Sequence, residues 1–167
     1  MKAVTLDTNL LLEYWKGQDK RAVVEQLIAL GRAGKIDLAV TARIRDDVPY
    51  PPLSEEINRL PVLSVDEIGS VFRLDLSTLD SGDMLGDDDF LQASSDLSDM
   101  LIGQHKTPPD WRDWDHLHAH YLSGRDVFLT WDRRVLDVAE PLAGRFRMVV
   151  LSPEAFLADV QAQGPAA

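Results

Sequence analysis

Four short apolar stretches in this chain are each followed by a helical pattern, and no hairpin signal joins any two of them. They are 1–6, Ile36 to Thr41, Asp126 to Thr130 and Phe146 to Leu151. Strands separated by helices pair in parallel and need cover on both faces. The predicted fold class is therefore α/β, with a mainly parallel central sheet covered by helices on both faces. Helices are predicted over Asp19 to Gly34, where Val23, Val24, Leu27, Ile28 and Leu30 keep a helical spacing, and near Ala42 to Val48 and Phe90 to Ile102. Others are expected over Trp111 to Ser123, Arg133 to Ala143 and Ala155 to Gln163, with a shorter candidate at Ser54 to Leu60. Pro61 to Val65 and Val71 to Leu74 read as short extended segments. A chain of 167 residues suits one domain, here 1–162 with a tail at 163–167.

A parallel sheet gathers ligands at the carboxyl ends of its strands. Asp7 follows the first strand directly, in Val4-Thr5-Leu6-Asp7-Thr8-Asn9, and its other role would be to cap the helix that starts there. Asp47 lies on the short helix after the second strand, Asp115 begins the helix before the Phe128 strand, and Asp132 ends that strand. Four carboxylates converging on one edge repel one another unless a cation neutralises them. Oxygen ligands without any cysteine suit Mg2+ or Mn2+, and water activated by such an ion attacks phosphodiesters.

The net charge of −11 argues against a broad nucleic-acid surface, yet eight Asp between Asp75 and Asp99, with no Lys or Arg among them, supply −8 of it. The 75–112 region reads as an acidic insertion and helix whose first part is a solvated loop. A calcium loop is the sharper alternative, but its ligand spacing does not line up. Arg43 with Arg45, Arg133 with Arg134, and Arg145 with Arg147 offer a local phosphate track. No apolar run approaches the roughly 18 residues of a membrane span, so no membrane association is expected. Without a long apolar N-terminal core or any cysteine, a cytoplasmic location is expected.

His116 and His120, four apart on one helix, have the spacing of a zinc pair; as alternatives, these two and His118 occupy a helix surface or an interface, with His118 best placed to face the acids. Trp111, Trp114 and Trp131 flank the third and fourth acids and either stack on unpaired bases or pack beneath the site.

Four blocks, Val4 to Asn9, Thr41 to Val48, Asp115 to His120 and Phe128 to Asp132, together resemble the PIN domain family, which includes the ribonuclease toxins of VapC-type toxin–antitoxin pairs. The blocks occur in family order and span nearly the whole chain. The resemblance implies a three-layer α/β/α sandwich around a four- or five-stranded, mainly parallel central sheet, and a metal-dependent endoribonuclease that cleaves single-stranded RNA with Mg2+ or Mn2+. Asp7 matches the first family acid, Asp115 the third and Asp132 the fourth, with Asn9 and Thr130 as polar supports. Where the family usually carries Glu as the second acid, this chain has Asp46-Asp47; Asp47 fits the spacing from Thr41 better, and Asp46 stays open. The implied partners are single-stranded RNA and an antitoxin protein, and a homodimer is compatible with the resemblance. One alternative is a binding or scaffold module with little activity. Another is a haloacid dehalogenase-type phosphatase, which would want a second Asp where this chain has Asn9.

Overall fold

A computed structural model of the chain describes residues 1–17, 19–71 and 84–162. Strands β1 (Lys2–Leu6), β2 (Ile36–Thr41), β3 (Val65–Ile68), β4 (Val127–Leu129) and β5 (Val149–Leu151) form one all-parallel sheet in the order β3-β2-β1-β4-β5. The chain leaves central β1 toward β2 and β3, then returns to lay β4 on the other side of β1. Such a reversal opens a crevice beyond the carboxyl ends of the two strands that flank it, here β1 and β4. Thr5 pairs with Ala39 on one side of β1, and Leu6 pairs with Leu129 on the other.

Among the described residues, the helices are α1 (Thr8–Lys16), α2 (Arg21–Arg32), α3 (Ile44–Asp47), α4 (Leu53–Glu56), α5 (Asp88–Gly103), α6 (Trp111–Leu122), α7 (Arg133–Leu136), α8 (Ala139–Phe146) and α9 (Pro153–Ala162). They cover the sheet in a three-layer α/β/α sandwich. Alternation along the strands separates two cores. Val4, Leu6, Leu38, Val40, Val127 and Leu129 pack with Leu10, Val24, Leu27 and Phe156 of α1, α2 and α9. Phe128 and Val150 pack on the other side with Phe90, Leu101, Leu117 and Leu142 of α5, α6 and α8. Each such side chain contributes about 1.5–3 kcal/mol when fully buried. No helix among the described residues is long and apolar enough to cross a membrane.

Several boundaries differ from the expected ones for local reasons. Pro61 cannot donate a ladder hydrogen bond, and Ile57–Leu63 forms a 3-10 helix instead of an extended start to β3. The helix expected over Arg133 to Ala143 splits into α7 and α8, which puts Pro141 in the first turn of α8, where its missing N–H breaks no intrahelical bond. Phe146 closes α8 and Arg147 turns left-handed (φ 57°), so β5 starts at Val149.

Of the extended segment expected at Val71 to Leu74, Val71 makes an isolated parallel bridge to Met84; the rest, and 75–83 of the acidic segment, lie outside the described residues. The remainder of that segment is built into the body of the fold. Asp87 caps α5 by accepting from the Phe90 N–H, and its own N–H donates to His118 Nε2 at 2.8 Å. Phe90 stacks on the same imidazole with centroids 4.5 Å apart.

Arg43 is not part of a surface phosphate track. It is 3% exposed, pairs with Asp46 at 2.8 Å and Asp115 at 3.5 Å, and donates to the Val71 carbonyl. Arg43→Leu removes one partner of a buried ion pair and is expected to lower stability by about 3 kcal/mol in urea unfolding at pH 7. A loss under about 1 kcal/mol would show that the pair contributes little.

Candidate active site

Asp7, Asp47 and Asp132 line one cleft of about 240 Å³ at the carboxyl edge of the sheet, together with Thr8, Asn9, Leu12, Asp110, Arg112, Asp113 and His116. Asp7 takes the N-cap position of α1 with an extended backbone, but its side chain caps nothing. Its Oδ2 accepts instead from Asn9 Nδ2 at 2.7 Å and from Thr130 Oγ1. Asn9 also donates to Thr130 at 3.0 Å, so the two supports lock each other and the carboxylate. Asp132 does cap, accepting from the Arg134 N–H at 2.8 Å.

The second strand end contributes Asp47 rather than Asp46. Asp47 Oδ2 accepts from Thr8 Oγ1 at 2.7 Å and His116 Nε2 at 2.8 Å. Asp46 faces outward against Arg43 and does not line the cleft.

Asp115 is not in the cleft, contrary to the expectation from sequence. It is 8% exposed and directed toward Arg43. Asp113 takes its place. Successive helix residues turn about 100°, so two positions apart means nearly opposite faces, and α6 turns residues 112, 113 and 116 toward the cleft. Asp113 closes a capping box with Asp110 and lies 3.0 Å from Arg134 Nη2.

The three α6 histidines are all buried, not on a surface, and each has a separate partner. His116 bonds Thr41 of β2 through Nδ1 and Asp47 through Nε2. His120 Nδ1 bonds Thr5 of β1 at 2.8 Å. The four-residue spacing therefore docks one helix on the buried threonines of two adjacent strands, a need set by the cost of unsatisfied buried hydroxyls, and does not form a zinc pair. His116, not His118, faces the acids. Trp114 and Trp131 pack below the rim, donating to Ser98 and Glu154, whereas half-exposed Trp111 carries Arg112 over its ring at 5.0 Å.

The electrostatics record crowding. Burial raises the Asp7 pKa against the opposing pull of His116 and Thr130, and Asp47 and Asp132 push it further up. Burial also raises Asp113 to about 6. Burial opposes ionisation of Asp47 as well, but the bond and charge of His116 and the bond from Thr8 outweigh it and bring its pKa below the usual value. His116 is correspondingly raised, its burial outweighed by Asp47 and Asp7. Asp132 is lowered chiefly by its bond from Arg134. The sequence reading gave none of His116, Asp113 or Arg134 a place among the acids. Asp113 and His116 stand three apart on one helix face, but Asp115 and His118 share that spacing, so it does not choose between the two acids.

Among the described residues, no three His, Asp or Glu side chains are arranged to hold a metal ion as they stand. The donor chemistry nevertheless suits a hard divalent ion. Mg2+ usually takes only one or two carboxylates and completes its shell with water and substrate phosphate. Both bonds to Asp7 end on Oδ2, which leaves Oδ1 without a bond among the described residues. No family model matches the chain, and no curated protein matches it in sequence.

Proposed function

We propose that this chain is a PIN-like endoribonuclease that cleaves single-stranded RNA with Mg2+ or Mn2+ held by Asp7, Asp47, Asp113 and Asp132. One observation carries the reading: carboxylates from the ends of β1 and β4, from α3 and from α6 line a single open cleft. The four sequence blocks that resemble the PIN family add to it, with Asp113 in the third acid's place. When bound, the ion supplies a more acidic water and a counter-charge for the transition state. Asn9 and Thr130 orient Asp7, and Thr8 and His116 orient Asp47. Arg112 can meet backbone phosphate, and Trp111 beside it offers a face for an unpaired base. Within this reading the chain acts in the cytoplasm as the toxin of a toxin–antitoxin pair, with a neighbouring-gene antitoxin as its protein partner.

A second reading, a PIN-like binding module of low activity, is favoured by the paired state of Asp132, whose two oxygens are both bonded by Arg134. Incubation of the purified chain with single-stranded RNA separates the two readings. Cleavage that needs Mn2+ and stops with EDTA is expected from the nuclease; RNA left whole at millimolar Mn2+ would leave the binding module.

A further inference from the structure

We infer that Arg134 is a displaceable internal counter-ion of the cleft, which gives up its carboxylates to a divalent cation and then grips the phosphate of the bound RNA. The inference rests on the metal-dependent reading above. One guanidinium bridges three carboxylates of the cleft. Asp132 Oδ1 accepts from the Arg134 backbone N–H at 2.8 Å and from Nε at 3.1 Å; Oδ2 accepts from Nη2 at 2.6 Å and Nε at 3.2 Å. Nη2 also lies 3.0 Å from Asp113 Oδ2, and Nη1 lies 3.8 Å from Asp110 Oδ2.

A carboxylate has about four lone-pair positions, and those of Asp132 are largely committed to the guanidinium and backbone N–H of this one residue. Cation and guanidinium therefore compete for the same oxygens. The other arginines near the rim do not compete in this way. Arg112 comes no closer than 4.0 Å to Asp47 and is stacked on Trp111, while Arg133 is 90% exposed with Asp137 at 4.0 Å.

Arg134 has a way out, since about a third of its side chain is exposed. It stays tethered two residues from Asp132, within reach of a phosphate oxygen at the site. A guanidinium fork matches phosphate as well as it matches carboxylate, so the group that blocks the cation would reinforce the substrate.

The test is Mn2+ binding to the full chain without RNA, followed by electron paramagnetic resonance of the free ion, alongside RNA kinetics. Arg134→Gln is expected to bind Mn2+ about tenfold more tightly, because the ion no longer displaces charge-assisted hydrogen bonds, and to raise KM for single-stranded RNA about tenfold. Arg134→Lys, which keeps the charge and loses the fork, should fall between. A folded Arg134→Gln with unchanged or weaker Mn2+ affinity would overturn the inference. Should that variant fail to fold, the Nε–Hε resonance of Arg134 in the wild-type chain decides: it is expected to shift on Mg2+ saturation, and a resonance that stays in place refutes displacement. Mn2+ binding by wild type that is lost in Asp7→Asn, with Arg134→Gln unchanged, sinks the Arg134 inference alone. A wild-type chain that neither binds Mn2+ nor cleaves RNA removes the metal-dependent reading and this inference with it.

Discussion

Asp7→Asn is expected to reduce Mn2+-dependent cleavage of single-stranded RNA by about 10²-fold or more while leaving the fold as stable as wild type or slightly more so. The two effects have one origin. Asp7 is buried, its pKa is raised by that burial and by the charges of Asp47 and Asp132, and its carboxylate is aimed by Asn9 and Thr130 rather than used to cap α1. An amide keeps an oxygen to accept those two bonds and removes a charge that the folded state holds at a cost. Cleavage of labelled RNA and thermal unfolding in EDTA, measured on the same preparations, check both halves. Full activity in the variant would remove Asp7 from the mechanism, and a lower unfolding temperature would show that its charge is compensated in the fold.

The second large effect separates two acids that lie two residues apart. Asp113→Asn is expected to abolish cleavage to a similar extent, whereas Asp115→Asn should keep most activity in its folded fraction and lose stability through weakened pairing with Arg43. Asp113 also predicts the pH dependence. Its pKa in the fold is about 6 against an ordinary 3.8, so protonation is favoured by folding. Stability from this group is fully present below pH 3.8 and is lost as pH rises through about 6. Asn imitates the protonated state. Asp113→Asn should therefore be more stable than wild type above pH 6, by up to about 3 kcal/mol, and equal to it near pH 3.5. Unfolding in EDTA across that range tests the sign. A difference that grew toward acid would mean that Asp113 is a net favourable charge. The opposite trend is expected of Asp47 and Asp132, whose lowered pKa values give stability that disappears in acid.

The layered α/β/α fold was legible in the sequence because its signals are local. Apolar runs such as Val127 to Leu129 and helical spacings such as Val24, Leu27 and Ile28 state their own periodicity, and parallel order follows from their alternation. Asp7 and Asp132 were legible for the same reason, since a residue directly after a strand, as Asp7 is, or three residues beyond it, as Asp132 is, lies near its carboxyl end wherever that strand is placed in the sheet. Spacing from Thr41 favoured Asp47 over Asp46, and the structure adds the reason: Asp46 is held by the buried Arg43 and does not line the cleft.

The third acid was decided by tertiary structure. Asp113 and Asp115 are both acids within the first five residues of α6 and both compatible with a helix; which of them enters the cleft depends on the rotation of that helix about its axis. His116 on Thr41 and His120 on Thr5 pin that rotation, joining residues 75 and 115 positions apart in the chain. Neither partner carries a mark in the sequence, because a buried threonine on a strand looks like any other β-branched residue until the helix that must satisfy its hydroxyl has been docked. The chain by itself thus determined which residues stand at strand ends, and only packing determined which face of α6 looks into the cleft, because a helix has no preferred rotation until its side chains find partners on another element.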